Sequence, residues 1–281
     1  MAVGPHSFKR LVLGLASSAP DRAMRVAVDF AALLNVDLLG LFLEDTALRD
    51  LARIPFAREF RPLGGGWHPI DVTRMSQDLD LAARTVERFF TEAASGLATK
   101  CEFEVVRGRT SETIASISRT GDIVIVAEPV SPAERATRQF EALMEAAFHS
   151  AAAVLVVPPQ IARRTGAIVA VAAAPDDPSV ETAGAIALAA TESLILLECG
   201  ERRYDEGRLR ALVDRSGLAV RRVVAGKASL DYPDACAHAF RTMQERLVVM
   251  TRDTRTPQVA VAIASARRVP VLVIEPDDVP S

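Results

Sequence analysis

Short apolar runs alternate with amphipathic segments along most of the chain. Residues 11–15 form an apolar run of the kind found in strands that are buried on both faces of a parallel sheet. Residues 22–34 follow with apolar positions at helical spacing, and residues 36–43 form the next apolar run. The order strand, helix, strand implies a right-handed parallel crossover. This pattern predicts an α/β fold.

The same order of elements occurs twice. Gly108 to Pro158 spans 158 − 108 = 50 residues, and Gly226 to Pro276 spans 276 − 226 = 50 residues. Each glycine follows an apolar strand, and each proline closes one. An internal duplication is the simplest cause. The sequence therefore predicts two domains, 1–162 and 166–281, with a short linker between them.

Each half is predicted to hold five parallel strands that are separated by helices. The predicted strands are 11–15, 36–43, 101–106, 122–127, 152–157, 168–172, 194–198, 220–224, 247–251 and 271–274. The predicted helices are 22–34, 77–98, 110–118, 139–149, 179–190, 205–216, 232–242 and 256–265. Such an order is typical of a doubly wound, Rossmann-like sheet. Because the fifth strands would otherwise be exposed apolar edges, we expect the two domains to pack through them.

The first half contains an insertion, 44–75, that has no counterpart in the second half. A short helix is predicted first, then a glycine-rich loop that carries Trp67, the only tryptophan. Three consecutive glycines fit poorly inside a helix because they lose much backbone entropy on folding. A mobile lid over a pocket and a surface flap that contacts a partner subunit are both consistent with this segment.

Composition narrows the function classes. The net charge is −3, with acidic and basic residues interspersed, so no basic face for nucleic acid is expected. The cysteines at 101, 199 and 236 match neither a metal site nor a redox motif. Residues 9–18 imitate a signal peptide, but the pattern recurs at 168, where a strand explains it. No apolar stretch reaches the ~20 residues that span a bilayer, so we expect a cytoplasmic protein without membrane insertion.

A duplicated unit of this size and order resembles the universal stress protein family. The resemblance rests on the first strand and its turn, on the strand–Gly108–helix element with Glu112 and Ile114, and on the apolar fourth and fifth strands. It covers nearly the whole chain. It implies two tandem domains of the adenine nucleotide alpha hydrolase-like fold and a role in stress response or regulation. A homodimer of the whole chain is an alternative to the intramolecular domain pair.

Two motifs of the family's nucleotide-binding members are replaced here. Those members carry an aspartate after the first strand, where this chain has Ala16 and Ala172. They also carry G-x-x-G-x9-G-[ST] after the fourth strand, where free backbone N–H groups hold phosphates. Residues 127–132 and 251–257 contain no glycine, and Glu128 adds a negative charge. We therefore expect no cofactor, with ATP or AMP in a rewritten pocket as the alternative.

Six residues are the candidates for holding an anion. They are Ser17, Ser18, Gly108, Arg109, Arg252 and Arg255. Gly108 and Arg109 precede a helix N-terminus, a place that binds anions; the alternative is a turn in which Gly108 has a positive φ. Arg252 and Arg255 follow a strand at the edge where open α/β sheets bind ligands; the alternative is a solvated loop with a helix cap.

The sequence contains few residue patterns that are typical of a catalytic site. There is no G-x-S-x-G motif, and His149 and His238 stand alone in predicted helices. Asp176 and Asp177 suit a metal ion or, between two prolines, a turn. Three hypotheses remain. The first is a non-catalytic regulatory protein that acts through protein contacts with an unidentified partner. The second is a small-molecule binder for AMP, ATP or another anion with a rewritten pocket, and the third is a hydrolase that uses a residual nucleotide site. The first is our main expectation, so the chain is not expected to be an enzyme.

Overall fold

One sheet of ten strands organises the molecule. The computed structural model describes residues 8–15, 21–45, 54, 56–61, 66–108, 110–131, 137–225, 239–253 and 256–276. The large sheet contains β1 (Arg10–Leu15), β2 (Asp37–Asp45), β5 (Cys101–Gly108), β6 (Asp122–Ala127), β7 (Ala153–Val157), β8 (Ala167–Ala172), β9 (Leu194–Glu198), β10 (Val220–Val224), β11 (Glu245–Thr251) and β12 (Val271–Ile274). A small sheet pairs β3 (Arg58–Arg61) with β4 (Gly66–Pro69).

Helices cover both faces of the large sheet. They are α1 (Asp21–Leu34), α2 (Val72–Ala94), α3 (Thr110–Ile117), α4 (Arg138–His149), α5 (Pro178–Ala190), α6 (Glu206–Ser216) and α7 (Thr256–Arg267). Successive residues of each strand point to opposite faces. Leu11 and Leu13 pack in the core that includes α1, α2, α5 and α6, while Val12 packs in the core that includes α3, α4 and α7. Burial on both faces explains why the inner strands, unlike the edge strands β5 and β10, are largely apolar runs.

The sheet consists of two sets of five strands that are ordered alike. The order is β10-β9-β8-β11-β12-β7-β6-β1-β2-β5, so each set places its first strand between its second and fourth. Pairing is parallel within each set. The predicted α/β class with two five-stranded parallel sets is confirmed.

The two sets join through their fifth strands. β12 pairs antiparallel with β7, with Val271 opposite Val156, Leu272 opposite Leu155 and Val273 opposite Val154. All these side chains are fully buried. The junction removes two apolar edges that would otherwise be exposed to solvent. It also brings the loops after β6 and β11 close to the opposite half, which matters for the site described below.

The insertion differs from its sequence-based interpretation. The predicted glycine-rich loop is wrong for Gly66 and Trp67, which lie in β4, while residues 62–65 lie outside the described residues. β3 and β4 pair as an antiparallel hairpin in which Phe60 lies opposite Trp67 with ring centroids 5.5 Å apart. A cross-strand aromatic pair of this kind stabilises a short hairpin. The predicted short helix before it falls largely outside the described residues. Helix α2 begins at Val72, earlier than predicted, because the Asp71 side chain accepts hydrogen bonds from two backbone N–H groups of the first turn.

Among the described residues, no helix is both long enough and apolar enough to cross a membrane.

Candidate functional site

A cavity of about 440 Å³ opens at the carboxyl ends of β8 and β11. In an open α/β sheet, ligands bind at this edge, between the first and fourth strands, where the connections diverge to opposite faces. The cavity walls include Val171, Pro178, Met250, Val259 and Pro276, and its polar lining includes Asp176, Asp177, Arg208, Thr251, Arg252 and Asp253. We call it the Asp177 cavity. Its volume lies in the range of small-molecule sites.

Asp177 holds the two strand ends together at the base of this cavity. It is the N-cap of α5 and is 5% exposed. One carboxylate oxygen accepts from the Ser179 backbone N–H at 3.0 Å and from the Thr251 hydroxyl at 2.6 Å, and the other accepts from the Ala173 N–H at 2.8 Å. The residue considered as a metal ligand or turn former is thus a cap with both oxygens in use. Among the described residues, no cluster could hold a metal ion.

The backbone N–H groups that follow β11 donate to acceptors within the protein. The Arg252 N–H donates to the Ile274 carbonyl at 2.8 Å, and the Asp253 N–H donates to the Thr256 hydroxyl at 2.6 Å. Thr256 also donates to the Asp253 carboxylate and begins α7. These two N–H groups therefore do not point into open space, unlike those of a loop that wraps phosphates.

Arg252 points away from solvent and across the junction into the first half. Its guanidinium donates to the carbonyls of Phe148 at 2.7 Å, Ser150 at 2.8 Å and Ala152 at 2.6 Å. It also forms an ion pair with Glu275 and lies over the Phe148 ring. Burial lowers the pKa of Arg252, while the negative charge of Glu275 opposes that shift. The alternative of a solvated loop is therefore wrong at Arg252, because its guanidinium binds backbone carbonyls of the opposite half.

Glu128 takes the corresponding position in the first half. It follows β6 directly, as Arg252 follows β11, and its N–H donates to the Val157 carbonyl of the fifth strand at 2.8 Å. Its side chain is 3% exposed and accepts a 2.7 Å hydrogen bond from the Ser265 hydroxyl on α7. Both residues after the fourth strands therefore reach into the opposite half.

The remaining predicted site residues are not brought together in the described structure. Ser17, Ser18, Arg109 and Arg255 lie outside the described residues. Gly108 is described, and its expected positive φ is wrong, because no such value occurs there. A Cβ at Gly108 would lie 2.9 Å from the Thr113 hydroxyl oxygen. Close approach of α3, not a left-handed backbone, explains the glycine.

A buried glutamate at the end of each second strand was missed. Glu198 accepts from the Arg222 guanidinium at 2.7 Å and from the Tyr204 N–H at 2.9 Å, while Glu44 accepts from Arg107 at 3.1 Å. Both glutamates are 3% exposed. The signal was present in the sequence, since each glutamate ends an apolar run in place of another apolar residue. These pairs fix the third strand of each set to the second.

Tyr204 precedes α6 and interacts electrostatically with Asp177 and Arg208, two residues that line the Asp177 cavity. Burial, with a smaller contribution from Glu181, raises the pKa of Tyr204 to about 12, and neighbouring Arg208 opposes part of that shift. The side chain is almost fully buried. It is neutral at neutral pH, so the charges next to the cavity come from aspartate and arginine side chains.

Comparison with known proteins identifies the fold. No protein-family model matches the sequence, and no curated protein matches it. A universal stress protein from Archaeoglobus fulgidus DSM 4304 is similar in structure, with a TM-score of 0.63, 14% identity and coverage of 96% of this chain and 97% of that one. A functionally unknown protein from Pseudomonas aeruginosa PAO1 has a TM-score of 0.56, 15% identity and coverage of 97% and 94%.

A further structure carries the same fold. A putative universal stress protein from Pseudomonas aeruginosa UCBPP-PA14 has a TM-score of 0.53, 15% identity and coverage of 97% of this chain and 95% of that one. All three similarities extend over nearly the full length of both chains, so they include both sets of strands and not one alone. The resemblance seen in the sequence is confirmed at the level of structure: the chain has the tandem fold of universal stress proteins.

Proposed function

We propose that this chain is a non-catalytic universal-stress-type protein that works in stress response or regulation without the phosphate-binding loop of its nucleotide-binding relatives. The observation that carries the proposal is the Arg252 guanidinium, which donates to three carbonyls of the opposite half. Among the predicted arginine candidates, the one that the structure describes is therefore already engaged and not available as a phosphate donor. Glu128, at the corresponding position, brings a negative charge.

Protein contacts are then the means by which such a protein would act. The two halves are joined by a continuous sheet and by side chains from both loops after the fourth strands. A rigid pair of this kind offers fixed surfaces to a partner. We expect it to act in the cytoplasm, as one chain or as a homodimer of whole chains.

A nucleotide titration tests the proposal. The full chain is heated with ATP, ADP or AMP up to millimolar concentration, with and without magnesium, against sodium chloride of matched ionic strength. A ligand that binds the native state stabilises it by mass action, by about 2.7 kcal/mol when its concentration is 100 times its Kd, and so raises the melting temperature. We expect no shift and no phosphate release from ATP. A concentration-dependent rise with any nucleotide contradicts the proposal.

The second candidate function is the binding of a small molecule. The Asp177 cavity favours it, because a cavity of about 440 Å³ with mainly apolar walls lies at the ligand-binding edge of the sheet. This candidate is compatible with the absence of nucleotide binding. The two candidates differ in how the chain would act: the first works through protein contacts, and the second through a bound small molecule.

A further inference from the structure

We infer that the outward face of the β3–β4 hairpin binds the surface of a membrane that contains anionic lipid. This face consists of Arg58, Phe60, Trp67 and Pro69, and we call it the hairpin face. The inference goes beyond the proposed function, because it adds a surface to which the chain attaches. It rests on exposed aromatic rings, a local surplus of positive charge and the small size of the face.

The register of the hairpin separates its side chains into two faces. Phe60 lies opposite Trp67, and Arg58 lies opposite Pro69. Because successive side chains of a strand point to opposite sides, these four residues share one face. All four are exposed, whereas the two residues that lie between them in the strands are only partly exposed. The hairpin therefore turns this face to solvent.

Exposed aromatic side chains are concentrated at this hairpin. Among the described residues, four phenylalanine, tyrosine or tryptophan side chains are exposed, and three of them lie within residues 56–67. Phe56, two residues before β3, is 88% exposed, and Trp67 and Phe60 are 64% and 57% exposed. Exposed apolar patches mark surfaces that contact proteins or membranes. Tryptophan in particular favours the boundary between lipid and water, and phenylalanine side chains anchor surface-bound segments there.

The sequence around the hairpin carries positive charge in a chain that is negative as a whole. Residues 51–70 contain three arginines and one acidic residue, Glu59, whereas the net charge of the chain is −3. Arg58 lies on the hairpin face itself and is exposed. A positive surface beside apolar rings is complementary to anionic lipid, which is enriched in the cytoplasmic leaflet of membranes.

The size of the hairpin face favours a membrane over a protein. A stable protein interface uses about 20–30 residues on each side, whereas the two strands of the hairpin have four residues each, of which alternate ones face outward. A bilayer needs no matching pocket, since the affinity for it grows with the apolar area that enters it. A two-fold pair of whole chains would bring the Arg58 side chains of both copies together, which disfavours self-association through this face.

Vesicles of two compositions test the inference with the full chain. One set contains phosphatidylcholine alone, and in the other set phosphatidylglycerol replaces about a third of the lipid. Co-sedimentation measures binding, and the emission of Trp67 reports on the hairpin face directly, because the chain has no other tryptophan. We expect binding to the anionic vesicles with a blue shift of this emission, binding to the neutral vesicles that is about tenfold weaker, and weaker binding as salt rises.

Two variants locate the contact without changing the aromatic pair of the hairpin. Phe56→Ala should weaken binding to anionic vesicles about tenfold, since an exposed ring no longer enters the bilayer. Arg58→Gln should weaken it about fivefold, the contribution of one basic residue near an anionic surface. The matched controls are Phe89→Ala, at an exposed ring about 25 Å along α2 from its first residue, and Arg215→Gln, at an exposed position of α6. Both controls should bind as the wild type does.

Each other outcome overturns the inference. Absence of binding to anionic vesicles does so, as does equal binding to both compositions or binding that leaves the Trp67 emission unchanged. Equal losses in the Phe56 and Phe89 variants would place the contact elsewhere. An emission shift on self-association, or with soluble polyglutamate and not with vesicles, would assign the hairpin face to a protein partner. None of these results affects the nucleotide-independent proposal, which only a response to ATP, ADP or AMP contradicts.

Discussion

Glu128 and Arg252 hold the same place in the two halves and carry opposite charges. Each directly follows a fourth strand, donates its N–H to a carbonyl of the fifth strand, and sends its side chain into the other half. They differ in the groups they contact: Arg252 donates to three backbone carbonyls and pairs with Glu275, whereas the Glu128 carboxylate accepts a hydrogen bond from the Ser265 hydroxyl. The same backbone position therefore serves one function through unequal contacts.

Removal of Arg252 should have the largest effect. Arg252→Ala removes the donor that the carbonyls of Phe148, Ser150 and Ala152 share and breaks the ion pair with Glu275 at the junction. The loss of one partner from a buried charged network costs about 3–5 kcal/mol. Urea denaturation of the full chain measures it.

Arg252→Lys is the matched control for that variant. It keeps the charge but lacks the planar fork that reaches several carbonyls, so we expect a smaller loss of about 1–2 kcal/mol. It also covers the case in which the alanine variant does not fold. A lysine variant as stable as the wild type would show that charge alone, and not the fork, joins the halves at this point.

Removal of Glu128 should cost less. Glu128→Ala loses a hydrogen bond to a buried carboxylate, which is worth about 1.5–3 kcal/mol. Measured under identical conditions, its free energy of unfolding should fall between those of the wild type and Arg252→Ala. If Glu128→Ala proves as destabilising as Arg252→Ala, the two residues contribute equally to the junction despite their different contacts.

The strands could be predicted from the sequence more accurately than the side-chain contacts across the junction. The bounds of β6, β9 and β12 agree with prediction to the residue, because a strand buried on both faces leaves a nearly uninterrupted apolar run. The role of Arg252 could not be predicted, since its acceptors are backbone carbonyls about a hundred residues away, and a carbonyl has no sequence signature. The hairpin with Trp67 was missed because two four-residue strands are too short for a periodic pattern.

Measurements of unfolding at alkaline pH test whether the second half unfolds together with the first. Burial raises the pKa of Tyr204 to about 12, above its ordinary value near 10. Between those pH values the unfolded chain loses a proton that the folded chain keeps, so the free energy of unfolding falls as pH rises, by about 2–3 kcal/mol in total. Tyr204→Phe should remove this dependence, and a pH profile unchanged by the substitution would assign it to another group.

The fluorescence of Trp67 makes that pH experiment a test of the junction. Trp67 lies in the first half and Tyr204 in the second. If the contacts of Glu128 and Arg252 make the halves one cooperative unit, the Trp67 transition and the helical circular dichroism should coincide and shift together above pH 10. In Arg252→Ala the two probes should separate. Coincident transitions in that variant would mean that the paired strands β7 and β12 are sufficient for cooperativity.

The smallest expected effect belongs to Ser265→Ala, which removes the hydroxyl that donates to Glu128 across the junction. We expect a loss of about 1 kcal/mol, smaller than for Glu128→Ala, because Glu128 stays in place and keeps its further interaction when only the serine hydroxyl is removed. The double variant with Glu128→Ala should be hardly less stable than Glu128→Ala alone, because the serine has no carboxylate left to contact. That non-additivity is the direct measure of this contact. Additive losses would mean that Glu128 stabilises the fold through its own half, and Arg252 would then be the principal side-chain link between the two sets of strands.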